Sequence, residues 1–364
     1  MKKTYALAAL AAASFAGAAH ADLVVAIAGP MTGQYASAGD QIRKGAEMAV
    51  ADINAKGGVL GQKLVLEVGD DACDPKQAVS VANTMVNKKI VFMHGHWCSS
   101  STIPASDVYA EAGIPMATVS TNPQVTERGL KNIFRIMGRD DQQGAVAGGF
   151  IASQFKGKKV AVVDDKSAYG KGLADEIAKA MTAKGAKPAL RESVTAGEKD
   201  YSALVSKLKS AAVQVMAYGG YHTEVALILR QAQQAGLQLT VVGGDTMTNS
   251  ELVTAAGAAV DNVYFTFAPD PRKNVAAADV VKRFRDAKVE PEGYVMYAYA
   301  AMQLFAEAAT QAKSAKPADV QKALAKGSFD SVIGRLAFDA KGDNKAPGFV
   351  AYKWQGGQYD YAAK

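Results

Sequence analysis

The stretch DLVVAIAGPMTGQYASAGDQIRKGAEMAVADINAKGG, residues 22–58, sets the pattern that the rest of the chain repeats. It opens with the apolar run Leu23 to Ala28, which shows no polar alternation and so reads as a strand buried on both faces. From Asp40 to Lys56 the period changes: Ile42, Ala46, Ala49, Val50 and Ile53 fall on one face of a helix, and Gly57-Gly58 stops it. A doubly buried strand followed by an amphipathic helix is half of a βαβ unit.

Working outward, the same kind of run recurs at Lys63 to Val68, Ile90 to His94, Ile114 to Thr118, Lys159 to Asp164, Val213 to Tyr218, Leu239 to Val242 and Val263 to Phe267. Helical segments lie between them. One spans 201–212, with Asp200 as its candidate N-cap and Leu204, Val205 and Leu208 on one side; another spans 223–235 and ends at Gly236. Such alternation predicts right-handed crossovers and parallel sheets. It runs from Leu23 to about Thr118, then restarts at Val160 after a helix over 142–155. Beyond Phe267 the pattern changes to helices over 275–288, 293–312 and 317–326, which predicts a return to the first lobe. Strands over 335–338 and 348–354 finish that return, and the last segment crosses again. The expected fold class is therefore α/β, two Rossmann-like lobes with parallel sheets, lobe 1 taking 22–139 plus 270–345 and lobe 2 taking 140–269 plus 346–364.

The N-terminus is set apart from this pattern. Lys2 and Lys3 precede an apolar run from Tyr5 to about Ala19, and Ala19-His20-Ala21 has the small-x-small form of a cleavage site, so residues 1–21 read as a secretory signal peptide. The run is roughly 15 residues long, short of the ~20 that span a bilayer as a helix. Its removal takes the formal charge from +6 to +4. The remaining bases are interleaved with acids, as in Arg43-Lys44 beside Glu47, which argues against a nucleic-acid partner. Cys73 and Cys98 both survive in an oxidising compartment, where a disulfide would add roughly 3 kcal/mol of stability.

Parallel α/β sheets bind ligands beyond the carboxyl ends of their strands, so the loops there are the places to search for chemistry. The loop His94-Gly95-His96-Trp97-Cys98-Ser99-Ser100-Ser101-Thr102 leads a hydroxyl cluster into a helix, whose open N-terminus suits a carboxylate. Val119-Ser120-Thr121-Asn122-Pro123 offers more hydroxyls. Helix capping alone accounts for either loop taken singly. In the second half, Asp165-Lys166-Ser167-Ala168-Tyr169-Gly170 and Gly219-Gly220-Tyr221-His222 each put a tyrosine at a strand's mouth, where simple packing is the alternative. Gly243-Gly244-Asp245-Thr246 puts an acid where an ammonium could pair, or where a turn merely needs an Asp.

Catalysis finds little support in the same residues. Outside the signal segment the histidines are His94, His96 and His222, and His94-x-His96 offers too few ligands for a metal once Cys98 is paired. Neither a G-x-S-x-G elbow nor a phosphate-binding P-loop is present. No metal, no cofactor and no enzymatic activity are expected.

Read together, these loops resemble the periplasmic branched-chain amino-acid-binding proteins, the Leu/Ile/Val receptors of ABC importers, over nearly the whole mature chain. The resemblance is carried by Gly39-Asp40-Gln41 with Gly45-Ala46-Glu47, by 51–58, by Asp70-Asp71-Ala72-Cys73-Asp74-Pro75, by Cys98-Ser99-Ser100-Ser101-Thr102, by 195–200 and by Tyr218-Gly219-Gly220-Tyr221-His222. It implies two Rossmann-like lobes joined by three crossings, the type I periplasmic binding protein fold, with the ligand between them. It implies that Cys98, Ser99 and Thr121 hold the ligand carboxylate with Ser120 nearby, that Tyr169 and Tyr221 close over it, and that Cys73 and Cys98 are bridged. It also implies a monomeric periplasmic receptor with a membrane permease as its partner. Two positions depart from the family: its ammonium-pairing Glu is Asp245 here, and a pocket tyrosine is Ala38, with Tyr35 three residues upstream to replace it. Loss of that ring predicts a larger pocket, open to aromatic or longer apolar side chains. Competing expectations are a receptor of the same fold for an amide, a sugar or an aromatic acid, and a ligand-sensing module.

Overall fold

The computed structural model describes residues 21–346 and 348–362; the signal-peptide expectation lies, but for Ala21, outside them. The first half builds β1 (Leu23–Gly29), α1 (Ala36–Ala55), β2 (Leu64–Asp70), α2 (Pro75–Asn87), β3 (Phe92–His94), α3 (Ser99–Glu111), β4 (Met116–Thr118), the short α4 (Gln124–Glu127) and β5 (Ile133–Arg135). Its five strands form a parallel sheet in the order β2-β1-β3-β4-β5. β1 shows why the run at 23–28 has no alternation. Val25 and Ile27 enter one core with Ile42, Ala46 and Ala49 of α1, while Ala26 and Ala28 enter a second with Ala78, Ala82 and Met85 of α2. Both faces are covered, so both sets of side chains are apolar.

The chain then passes through α5 (Asp140–Gln154) into β6 (Val160–Asp164), α6 (Ala168–Ala183), β7 (Leu190–Ser193), α7 (Ser202–Ser210), β8 (Val215–Gly219), α8 (His222–Gln234), β9 (Thr240–Gly243), a 3-10 turn at Asp245–Thr248, α9 (Glu251–Ala256) and β10 (Val263–Phe267). α10 (Ala278–Asp286), α11 (Val295–Ala312) and α12 (Pro317–Lys326) follow, then β11 (Ser328–Ser331), β12 (Gly334–Ala337), β13 (Val350–Gln355) and β14 (Gln358–Tyr361). α11 packs on α1 and β3, which returns the chain to the first sheet. The approach is close: a Cβ on Gly45 of α1 would stand 2.1 Å from the Val295 carbonyl oxygen.

Several expectations are corrected. The strand expected at 335–338 pairs as β12 only with β11, in a separate antiparallel hairpin. The strand expected at 348–354 does not finish the first sheet; as β13 it pairs antiparallel with β10, and β14 pairs with it in turn. The second sheet is thus mixed, in the order β14-β13-β10-β9-β8-β6-β7. The helix expected at 275–288 starts as a 3-10 turn, Val275–Ala277, that runs directly into α10 and ends at Asp286. Tyr201, not Asp200, is the N-cap of α7; Asp200 instead accepts the Ser202 N–H from one position further out.

Two of the crossings between the sheets lie side by side, with Arg135 and Asp343 in a parallel bridge. Arg135, fully buried at the end of β5, donates to Asp343 Oδ1 at 2.8 Å and to the carbonyls of Ser120 and Asn122, each at 2.8 Å. Arg139 reaches Asp343 Oδ2 at 2.9 Å. One buried cation therefore ties the 343 crossing to the loop that follows β4. Among the described residues no helix is long and apolar enough to cross a membrane.

Candidate functional site

The carboxyl ends of both sheets face one cleft, and the loops singled out in the sequence line it. On the first side, Cys98 caps α3 and is bridged to Cys73, with Cα atoms 5.5 Å apart. The bridge fixes the start of α3, where Ser99 is buried and the first N–H groups lack carbonyls one turn back. Below it lies a knot of hydroxyls. Ser120 Oγ is within 3.0 Å of the carbonyls of both His96 and Trp97 and 2.5 Å from Thr102 Oγ1, and Thr118 Oγ1 donates to His96 O at 3.1 Å. The Ser120 hydroxyl is thus occupied in holding the loop. Thr121 is buried and its carbonyl accepts the Asp140 N–H at 2.9 Å. Ser101 Oγ is buried with no partner among the described residues.

On the second side, Tyr169 stands in the first turn of α6, Tyr221 at the N-cap of α8 and Asp245 at the head of the 3-10 turn after β9. Gly170 and Gly219 let α6 meet the end of β8: a Cβ on Gly219 would lie 1.9 Å from the Gly170 carbonyl oxygen. Asp245 is 3% exposed, and both its oxygens accept from tyrosines, Oδ1 from Tyr169 at 2.8 Å and Oδ2 from Tyr294 at 2.5 Å. Burial pushes its carboxyl above the usual carboxylate range, and the two hydroxyls oppose that shift. Asp140, at the start of α5, is fully buried with neither oxygen partnered among the described residues, and its carboxyl is driven well up, by burial first and by the charge of Asp245 next. Two buried acids in mutual repulsion, neither bonded to a cationic side chain, are a setting that a single ammonium would relieve.

Contacts across the cleft hold it shut. Glu224, 1% exposed in the first turn of α8, accepts from Tyr35 OH at 3.0 Å across the cleft and from the Gly197 N–H at 3.0 Å on its own side. Asn122 Nδ2 donates to Ala168 O at 2.7 Å, and Asn249 Nδ2 to Ser37 Oγ at 2.8 Å. The rings meet as well: Tyr35 lies 4.3 Å from Tyr221, and Trp97 lies 5.2 Å from Tyr221 and 5.5 Å from Tyr294 between centroids. Ala38 is buried in the first turn of α1, one turn on from Tyr35.

The structure thus brings Cys98, Ser99, Thr121, Tyr35, Tyr169, Tyr221 and Asp245 to the walls of one cleft. It adds Trp97, Asp140, Glu224 and Tyr294, none of which was singled out as a site residue. Tyr294 heads α11 just after Pro291-Glu292-Gly293, a helix-start signal that could have exposed it. The histidines are taken up in structure. His96 Nδ1 lies 2.5 Å from Asp71 Oδ2, and burial pushes His94 down to about 4. Among the described residues no group of three or more His, Cys, Asp or Glu could hold a metal ion.

Comparison with known proteins agrees with this architecture. A family model described as periplasmic binding protein matches residues 22–358. The Leu/Ile/Val-binding protein homolog 1 of Brucella melitensis is 50% identical over 353 residues, covering 96% of this chain and 95% of that one. A leucine-, isoleucine-, valine-, threonine- and alanine-binding protein of Pseudomonas aeruginosa is 46% identical over 355 residues, covering 95% and 94%. Among solved structures, a leucine-binding protein from Thermotoga maritima superposes with a TM-score of 0.87 at 26% identity, covering 94% of this chain and 98% of that one.

Proposed function

From the premise that the chain belongs to the periplasmic binding protein family, we propose that its cleft captures an apolar L-α-amino acid of the leucine, isoleucine and valine type for an ABC importer. The observation that carries this reading is Asp245, a buried acid held by two tyrosine hydroxyls and repelled by a second buried acid. An amino acid carries the two complementary charges. Its carboxylate meets the backbone and hydroxyls of Cys98, Ser99 and Thr121, and its ammonium meets Asp245. The names of the Brucella and Pseudomonas relatives support the ligand class.

Mechanically, the ligand docks on the lobe formed by 22–139 plus 270–345. The lobe formed by 140–269 plus 346–364 then swings over it with Tyr169, Tyr221 and Asp245. Membership of the two sheets supports this division. The protein is exported by cleavage of residues 1–21, works in the periplasm as a non-enzymatic monomer without a cofactor, and passes its ligand to a membrane permease. The test is to denature the purified protein and identify the released small molecule by mass spectrometry, then titrate stripped and refolded protein with it by calorimetry. An apolar amino acid bound at one site per chain is expected. A retained sugar or aromatic acid, with no response to amino acids, would overturn the reading.

A further inference from the structure

We infer that the cleft takes the short end of the apolar amino acids, alanine and valine ahead of leucine and phenylalanine, and that the indole of Trp97 sets this limit. The inference rests on the amino-acid reading above and deepens it. Its basis is a closed circuit of side chains. Asp245 is bonded to Tyr169, whose ring lies 5.4 Å from Tyr221. The Tyr221 ring lies 5.2 Å from Trp97, Trp97 meets Tyr294 edge-on at 5.5 Å, and Tyr294 returns to Asp245. Tyr35 backs the circuit, 4.3 Å from Tyr221 and 6.1 Å from Trp97.

Ring centroids at these separations are in van der Waals contact, so a bound side chain cannot extend outward between neighbouring rings. The rings are also anchored. Tyr169 and Tyr294 would each have to give up a bond to a buried carboxylate in order to swing, and Tyr35 is bonded to Glu224. An ammonium bound at Asp245 therefore sits inside a wall of fixed circumference, and the side chain on the same Cα must fit within it. This runs opposite to the enlargement expected from Ala38 alone. The ring missing there is replaced by Tyr35, and Trp97 fills the wall between the two sides. Trp97 and Tyr221 take part in none of the three anchoring bonds, and of the two Trp97 carries the larger ring, so its removal opens the circuit while those bonds stay in place.

Calorimetry on ligand-stripped protein with alanine, valine, leucine and phenylalanine tests this. In a hydrophobic pocket an extra methylene that does not fit changes affinity by about tenfold or more, so alanine and valine should each bind about tenfold or more tighter than leucine, with phenylalanine undetected. Trp97→Leu should move the leucine-to-alanine affinity ratio toward leucine by about tenfold, and Trp97→Phe should move it less. The wild-type ranking needs no variant, so a misfolded Trp97→Leu would not spare the inference. Leucine binding as tightly as alanine and valine in the wild type overturns it, as does an unchanged ratio in a folded Trp97 variant. Failure of all four to bind removes the amino-acid reading itself, a result distinct from leucine winning.

Discussion

Replacing Asp245 by Asn should separate affinity from stability, and the two should move in opposite directions. The side chain is 3% exposed and keeps its shape in the variant, but the charge is lost and one of its two acceptor atoms becomes a donor. For the liganded protein the cost is that of a buried ammonium left without its counter-charge, about 3–5 kcal/mol. That corresponds to roughly 150-fold to several thousandfold in the dissociation constant. The donor at Nδ2 must also face a tyrosine hydroxyl that now donates to Asp245, either Tyr169 or Tyr294, which adds to the loss. The unliganded protein is affected the other way. In the closed form without ligand, burial raises the carboxyl of Asp245, and burial and the charge of Asp245 raise that of Asp140 further, so ionised Asp245 costs free energy there and Asn removes part of that cost. Calorimetry should therefore show a loss of two or more decades in affinity, while thermal unfolding of stripped protein shows an unchanged or higher midpoint. A variant that binds within threefold of wild type would remove Asp245 from the ammonium site. A variant that binds weakly and also unfolds several degrees earlier when empty would mean that Asp245 is structural.

Asp165, buried beside Tyr221, is pushed up to about 7, chiefly by burial. A carboxyl raised in the folded state binds protons there more tightly than in the unfolded chain. Stability should therefore fall as pH rises from about 4 to about 7, by at most about 4 kcal/mol, and Asp165→Asn, which keeps the acceptor for the Ser167 N–H, should flatten that slope in urea titrations. Breaking the Cys73–Cys98 bridge, which spans 25 residues, should cost about 3 kcal/mol. A paired Cys73→Ala, Cys98→Ala variant would show this as an earlier unfolding midpoint that reductant no longer shifts. Tyr35→Phe keeps the ring against Tyr221 but removes its bond to Glu224 across the cleft. Small-angle scattering should show the closed form less populated at a given ligand concentration, and affinity should drop by about 1.5–3 kcal/mol.

The strands that read clearly in the sequence are those with helices on both faces, because burial on both sides removes polar residues and leaves a run that nothing else produces. β1, β6, β8 and β10 are of this kind. The strands that were missed have mixed reasons to exist. β5 is three residues long and ends in Arg135, a charge that reads as surface until Asp343 arrives from more than two hundred residues away. β7 lies at the edge of its sheet and alternates between half-buried and exposed positions. The run at 348–354 is legible as a strand, and the division of the lobes puts 346–364 in the second, but its antiparallel pairing with β10 is a non-local event that the run itself does not signal. The 3-10 turn at 275–277 follows Asn274, whose side chain accepts the Ala276 N–H, and it continues into α10.

The site divides along similar lines. Tyr169, Tyr221 and Asp245 follow strands directly, so the rule that ligands gather at strand ends finds them. Tyr294 precedes a helix of the returning segment, and only folding brings it 2.5 Å from Asp245. Asp140 passes for an ordinary acid in a helix's first turn until its burial is known, and Glu224 likewise. These two complete an account of why closure should depend on ligand. Asp140, Asp165, Glu224 and Asp245 are all buried at the cleft, while the buried cation nearby, Arg135, has its donors committed to Asp343, Thr126 and the carbonyls of Ser120 and Asn122. In the closed cleft, burial raises the carboxyls of Asp140 and Asp245, so ionising them there carries a desolvation cost that no bonded cationic side chain among the described residues offsets. An ammonium on the ligand offsets that cost only in the closed form, where it meets Asp245 with water excluded. A carboxylate alone would dock on α3 without favouring closure, so the acids make the hinge respond to the whole amino acid and not to half of it.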